Sequence, residues 1–208
     1  MIFAALSVAA LTWLPLQDPP KPPGGQSLPS SGALAVPPQP PAAASVPQAR
    51  GPEVAVETEQ GSFVIRLRPD LAPRHVAHFL KTAKAGGYDG TAFHRIIPGG
   101  IVQGGDPLSK DARNAARFGT GGLGLLKAEF SDLPFTRGVV AAARRPSSAD
   151  SGGSQFFVCL SDQPSLKGQY TILGEVAEGM EVVDKIGATP VDGDKPRGRV
   201  EIKKATVR

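Results

Sequence analysis

Two short segments carry side chains whose types and spacing suit chemistry. In the first, Phe93-His94-Arg95-Ile96-Ile97-Pro98-Gly99-Gly100-Ile101-Val102-Gln103-Gly104-Gly105-Asp106, a strand bearing Arg95 turns through Pro-Gly-Gly into a second strand bearing Gln103. In the second, Gly153-Ser154-Gln155-Phe156-Phe157-Val158, alternation puts Gln155 and Phe157 on one face and Phe156 and Val158 on the other. One ring can then enter a core while its neighbour lines a surface. Arg95 and Ile97 share a face by the same rule. A guanidinium gives directional, charge-assisted hydrogen bonds, so beside an apolar floor it can stabilise a bound group whose charge is redistributing. An arginine among apolar residues is, taken alone, more often part of a structural ion pair. The motif around Arg95 reverses that balance.

Other chemistry is less well supported. His94 has the opposite parity from Arg95 and is expected to face elsewhere and satisfy a backbone group. His75 and His78 lie three apart on a helical segment without a third ligand nearby, so they read as surface histidines and no metal is expected. Gly104-Gly105 and Gly119 to Gly124 resemble phosphate-cradling loops in composition only, since neither precedes Gly-Lys-Ser/Thr. Asp150-Ser151-Gly152-Gly153 resembles the nucleophile segment of chymotrypsin-like proteases, but residues 51–208 are short for two barrels and Ser151 falls in a loop.

The elements that must position these groups are mostly strands. Val54 and Val56, a turn at Gln60-Gly61, then Phe63, Ile65 and Leu67 read as an antiparallel hairpin. Pro73 opens a helix whose Val76, Phe79, Leu80 and Ala83 recur at helical spacing before Gly86-Gly87 ends it. Strands follow at 92–97, 101–104, 138–143, 155–160 and 171–176, then a helix at 179–186 and a last strand at 199–207. This pattern predicts a mainly β fold, a closed or nearly closed antiparallel barrel capped by helices.

Composition divides the chain. Residues 1–50 hold 11 of the 21 prolines and only three charged side chains, Asp18, Lys21 and Arg50. Ile2 to Leu16 is apolar apart from Ser7 and Thr12, shorter than the ~20 residues of a membrane span, so residues 1–17 read as a signal peptide or membrane anchor. Residues 18–50, with proline pairs at 19–20, 22–23, 37–38 and 40–41, read as a disordered Pro-rich linker able to reach on the order of 100 Å. Residues 51–208 form the folded domain. The expectation is an exported protein, periplasmic or membrane-anchored, whose N-terminal segment contacts a membrane. A net charge of +4 with both signs interspersed argues against a nucleic-acid partner, and the basic run Arg197 to Lys204 reads as a solvated strand edge. The single cysteine, Cys159, lies in an apolar run and reads as a small core residue.

Together the two segments, with Arg137 to Ala143, Leu166 to Val176 and Glu178 to Val183, resemble the cyclophilin-type peptidyl-prolyl cis-trans isomerases of bacterial type over about residues 53–208. The resemblance implies a closed eight-stranded antiparallel β-barrel capped by two α-helices, with a groove on its outer surface where X-Pro bonds isomerise without a cofactor. It implies that Arg95 is the catalytic arginine and that Gln103 orients it. Phe157 floors the proline pocket, with Ile101 and Leu166 as walls. Phe93, Gln155 and Tyr170 fall on groove positions, and Ala143 with the backbone of Arg144 matches the strip that pairs with the substrate main chain. Gly100 departs from the family by standing where an aromatic is common, Ser165 where a tryptophan is, Tyr170 where a histidine is, and Ala142 where a methionine is. The implied partners are proline-containing polypeptides met by a monomer, in the folding of exported proteins. The alternative function is a non-catalytic proline-peptide-binding chaperone or scaffold using the same groove.

Overall fold

A computed structural model describes residues 51–208, and the expected leader at 1–17 and linker at 18–50 lie outside the described residues. Alternation sets the first hairpin: β1 (Glu53–Thr58) and β2 (Gly61–Leu67) pair antiparallel and bury Val54, Val56, Phe63, Ile65 and Leu67. Gly61 makes the turn at φ 128°, a left-handed geometry that a side chain would strain. Pro73 then begins α1 (Pro73–Lys84), which buries Val76, Phe79 and Ala83 on one stripe. The rest of the chain forms β3 (Thr91–Ala92), β4 (Arg95–Ile97), β5 (Ile101–Gly104), β6 (Val139–Ala142), β7 (Phe156–Cys159), β8 (Ile172–Glu178), α2 (Met180–Gly187), β9 (Val191–Asp192), β10 (Lys195–Pro196) and β11 (Glu201–Val207).

Nine strands hydrogen-bond in the order β3-β11-β1-β2-β8-β6-β7-β5-β4, all antiparallel, and β9 pairs with β10 in a separate small hairpin. The two end strands, β3 and β4, are successive parts of one run. Its first half bonds toward β11, with the Phe93 N–H donating to Val200 O at 2.8 Å, and its second half toward β5, with the His94 N–H donating to Gln103 O at 3.0 Å. That change of partner curls the sheet round on itself, so residues 91–97 act as one shared stave of an eight-stave wall. The strand expected at 92–97 is thus present but interrupted at Phe93-His94. β11 has neighbours on both sides, so the basic segment it carries is solvent-facing at Lys203 and Lys204 without being a sheet edge.

The two faces of the sheet hold two apolar clusters. Inside the barrel, Phe156 meets Phe79, Tyr88 and Phe93 edge-on, with ring centroids 5.5, 5.8 and 6.1 Å away. Outside it, Phe135, Val139, Ala141, Ala143, Phe157, Cys159 and Ile172 form a smaller cluster, against which Ile101, Leu166 and Tyr170 pack half-buried. β7 contributes alternate residues to each.

Candidate active site

Register places the site. Arg95 pairs with Gln103 across β4 and β5, Gln103 with Phe157 across β5 and β7, and Phe157 with Ala141 across β7 and β6. Side chains directly opposite in antiparallel strands share a face, so Arg95, Gln103 and Phe157 stand in one row on the outside of the barrel. Gln103 donates from Nε2 to Gln155 Oε1 at 3.0 Å, and the fully buried Gln155 donates to Gly121 O at 2.6 Å. This relay anchors the carboxamide beside Arg95 to the Gly-rich loop above it. The loop itself is held by Asp106, whose buried carboxylate accepts the N–H groups of Leu108, Gly119 and Gly121. Its glycines therefore serve a pinned loop.

Arg95 is partly exposed and donates from Nε to Asp194 Oδ2 at 2.7 Å. Asp194 sits in the turn of the β9–β10 hairpin, and its carbonyl accepts the Ile96 N–H at 2.8 Å, so the hairpin is fastened to the strand that carries Arg95. The guanidinium beside it holds the Asp194 carboxyl below its ordinary value. Engaged through Nε, the guanidinium has both terminal nitrogens unpartnered among the described residues and so available to a ligand. Sequence reasoning missed Asp194, which lies 99 residues from its partner; the Asp-Gly-Asp-Lys turn signal was legible, but nothing local connected it to Arg95.

A cavity of about 790 Å³ opens over this row, lined among others by Arg95, Ile101, Gln103, Ala143, Phe157 and Leu166. Phe157 lies at its bottom, 2 % exposed, stacked on Phe135 at 6.4 Å and met edge-on by Tyr170 at 5.3 Å. Arg144 caps that wall, its guanidinium 4.8 Å over the Tyr170 ring and its Nε donating to Gln169 O at 2.9 Å. Ala143 donates its N–H to Gln155 O at 2.9 Å. At Gly100 the wall is open, and a Cβ there would come within 2.9 Å of Ile97 Cγ2.

Two expectations need correction. Phe93 lines the cavity only from behind: it is 1 % exposed and belongs to the barrel core against Phe63 and Phe156, because the interruption at Phe93-His94 breaks the alternation that would have put it beside Arg95. His94 is 8 % exposed, and neither ring nitrogen makes a hydrogen bond of good geometry among the described residues, the Ala92 carbonyl being a backbone group beside the ring; burial lowers its pKa. His75 is buried rather than on the surface. Its N–H and its Nδ1 both meet Glu129 Oε2, at 3.0 and 2.7 Å, tying α1 to the loop before β6. Cys159 is fully buried as expected, which pushes its thiol up to about 12.

The model of the cyclophilin type peptidyl-prolyl cis-trans isomerase/CLD family matches residues 53–207. A probable peptidyl-prolyl cis-trans isomerase of Brucella suis is 47% identical over 145 residues, covering 66% of this chain and 74% of that protein. A peptidyl-prolyl cis-trans isomerase of Arabidopsis thaliana is 37% identical over 163 residues, covering 75% and 93%. Among solved structures, a cyclophilin type peptidyl-prolyl cis-trans isomerase of Cryptosporidium parvum, crystallised in the presence of the dipeptide Ala-Pro, superposes with a TM-score of 0.67 at 29% identity, covering 75% of this chain and 98% of its own.

Proposed function

This chain belongs to the cyclophilin-type peptidyl-prolyl cis-trans isomerases, and from that premise we propose that the Arg95 groove carries the isomerisation and that its clients are exported proteins. Turning a peptide bond costs ~20 kcal/mol because the amide loses resonance, and X-Pro bonds are the ones that populate cis appreciably. No bond between atoms is exchanged. At the twisted transition state the prolyl nitrogen becomes pyramidal and regains a lone pair, while the carbonyl oxygen loses negative charge. A donor aimed at that nitrogen binds the twisted amide better than either planar form, which is the differential binding that lowers the barrier.

Arg95 is that donor in this reading, clamped at Nε by Asp194 with its terminal N–H groups left for the amide. Gln103, anchored by Gln155, orients the arginine and the substrate carbonyl. Phe157, Ile101 and Leu166 receive the pyrrolidine ring, and Ala143 with the Arg144 backbone guides the client main chain. The observation that carries the proposal is the single cross-strand row from Arg95 through Gln103 to Phe157.

Arg95→Ala in the full chain tests it: kcat/KM on a short Ala-Pro peptide should fall about a hundredfold, as expected if a charged hydrogen bond of ~2–3 kcal/mol is made in the transition state. An unchanged rate rejects Arg95 as donor, and a parent protein without turnover points to a peptide-binding scaffold. The export reading rests on the uncharged, apolar stretch Ile2 to Leu16. Residues 1–50 fused to a phosphatase that folds only outside the cytoplasm should give active enzyme; an inactive fusion overturns it.

A further inference from the structure

The groove extends past what a proline ring fills. Besides the row from Arg95 to Phe157, an arm of the same cavity is lined by Ala112, Ala115 and Phe118, by Lys195 and Arg197, and by His94. We propose that this arm is a second side-chain subsite, taking the carboxylate of an aspartate or glutamate close to the client's proline. The inference rests on the reading of the groove as the place where peptide binds.

Three observations carry it. First, His94 is a buried polar side chain, 8 % exposed, that lines the cavity with both ring nitrogens unpartnered among the described residues. Buried polar groups are nearly always paired, so an orphan facing a cavity marks where a ligand atom belongs. The Ala92 carbonyl is a backbone acceptor beside the ring, and its contact falls short of good hydrogen-bond geometry. Gly119, where a Cβ would stand 3.5 Å from His94 Nε2, keeps further cover off a ring nitrogen that is itself buried. A neutral imidazole has one N–H to give, and a carboxylate oxygen accepts it.

Second, the charges that line the cavity are unbalanced. Arg95 is neutralised by Asp194, and Arg199 by Glu201 at 2.8 Å. Arg144 is held by backbone carbonyls and a ring, and meets no anion among the described residues. Lys195 and Arg197 make no ion pair or side-chain hydrogen bond among the described residues, and both are exposed at the rim. Of the other carboxylates, Asp106 is spent on backbone N–H groups and Asp111, next to Ala112, on Arg113. A client's anion is therefore attracted and its cation repelled. Third, the alanines and Phe118 give the arm apolar walls that suit the methylene stem of an acidic residue.

The experiment uses the full chain and a matched set of peptides around one Ala-Pro bond, with Glu, Gln or Lys placed in turn at each of the two residues before and after it. Dissociation constants come from 15N NMR titration, and isomerisation rates from exchange spectroscopy on the same samples. At one position Glu should bind about tenfold tighter than Gln and tighter still than Lys at low ionic strength, the gap narrowing in high salt as surface charge is screened. Lys195→Glu with Arg197→Glu, both at exposed positions, should invert the order to favour Lys. His94→Phe should remove the advantage of Glu over Gln. Equal binding of all three peptides at every position, or a preference that charge reversal leaves intact, overturns the subsite while leaving the isomerase reading standing. A charge preference without isomerisation does the opposite, and absence of peptide binding sinks both.

Discussion

Phe156 and Phe157 are neighbours on β7 with nearly the same exposure, 1 % and 2 %, yet they do different work. Phe156 points into the barrel, where Phe79, Tyr88 and Phe93 meet it edge-on within the main apolar cluster. Phe157 points outward, and its cover consists of Phe135, Tyr170, Leu166 and the loops around the cavity, with Arg95 and Gln103 in the same row. A sheet has two faces and one interior, so the face without a packed layer over it is where a cleft can form. Burial alone does not separate structure from function here; what stands over the ring does.

Truncating the two rings sharpens that contrast most. Phe156→Ala should cost about 3–5 kcal/mol of unfolding free energy, read from denaturant titration, with kcat/KM per folded molecule close to the parent. Phe157→Ala should cost less stability, because part of its cover is loop that can settle, and should depress kcat/KM on an Ala-Pro peptide far more. The reverse pattern would mean that the active face has been misassigned. Asp194→Ala should come next. Freed from its clamp, Arg95 samples more rotamers, and kcat should drop about fivefold to tenfold with a smaller change in KM, while Asp194→Glu restores much of it. The Arg95 Nε–H resonance should move in step; a kcat loss without that shift would make Asp194 a merely structural residue.

Gly100→Phe asks whether the open wall has room. Because a Cβ there would crowd Ile97 Cγ2, the single substitution should not tighten peptide binding, whereas Gly100→Phe with Ile97→Ala should tighten it by roughly threefold in calorimetric titration, about 0.6 kcal/mol. Tightening by the single variant would show that the turn yields freely. The smallest effect concerns Cys159, on the same outer face as Phe157 but fully buried. With its thiol pushed up to about 12, it should stay unmodified by a disulfide reagent at pH 8 in the native protein and react fully once unfolded. Prompt native reaction would show that the outer cluster opens to solvent beneath its cavity.

Much of this was legible in residue order. Alternation at Val54, Val56, Phe63, Ile65 and Leu67 and again at Gln155 to Val158 assigned faces correctly, since side-chain direction in a strand follows from backbone pleating within two residues. Phe93 was misread because the run from Thr91 to Ile97 changes its hydrogen-bond partner at Phe93-His94, and such a change leaves no mark in composition. His75 escaped for a related reason: the carboxylate that meets it lies 54 residues on, in a loop without period.

Residue order by itself thus determined a β-rich domain, the shared face of Arg95 and Ile97, and the split between Phe156 and Phe157, all consequences of short-range backbone geometry. The folded chain alone decided that the sheet closes through one shared stave, that Asp194 grips Arg95, and that His94 is enclosed without a partner. Those depend on which distant segments the chain path brings within hydrogen-bond reach, and no local pattern encodes that distance.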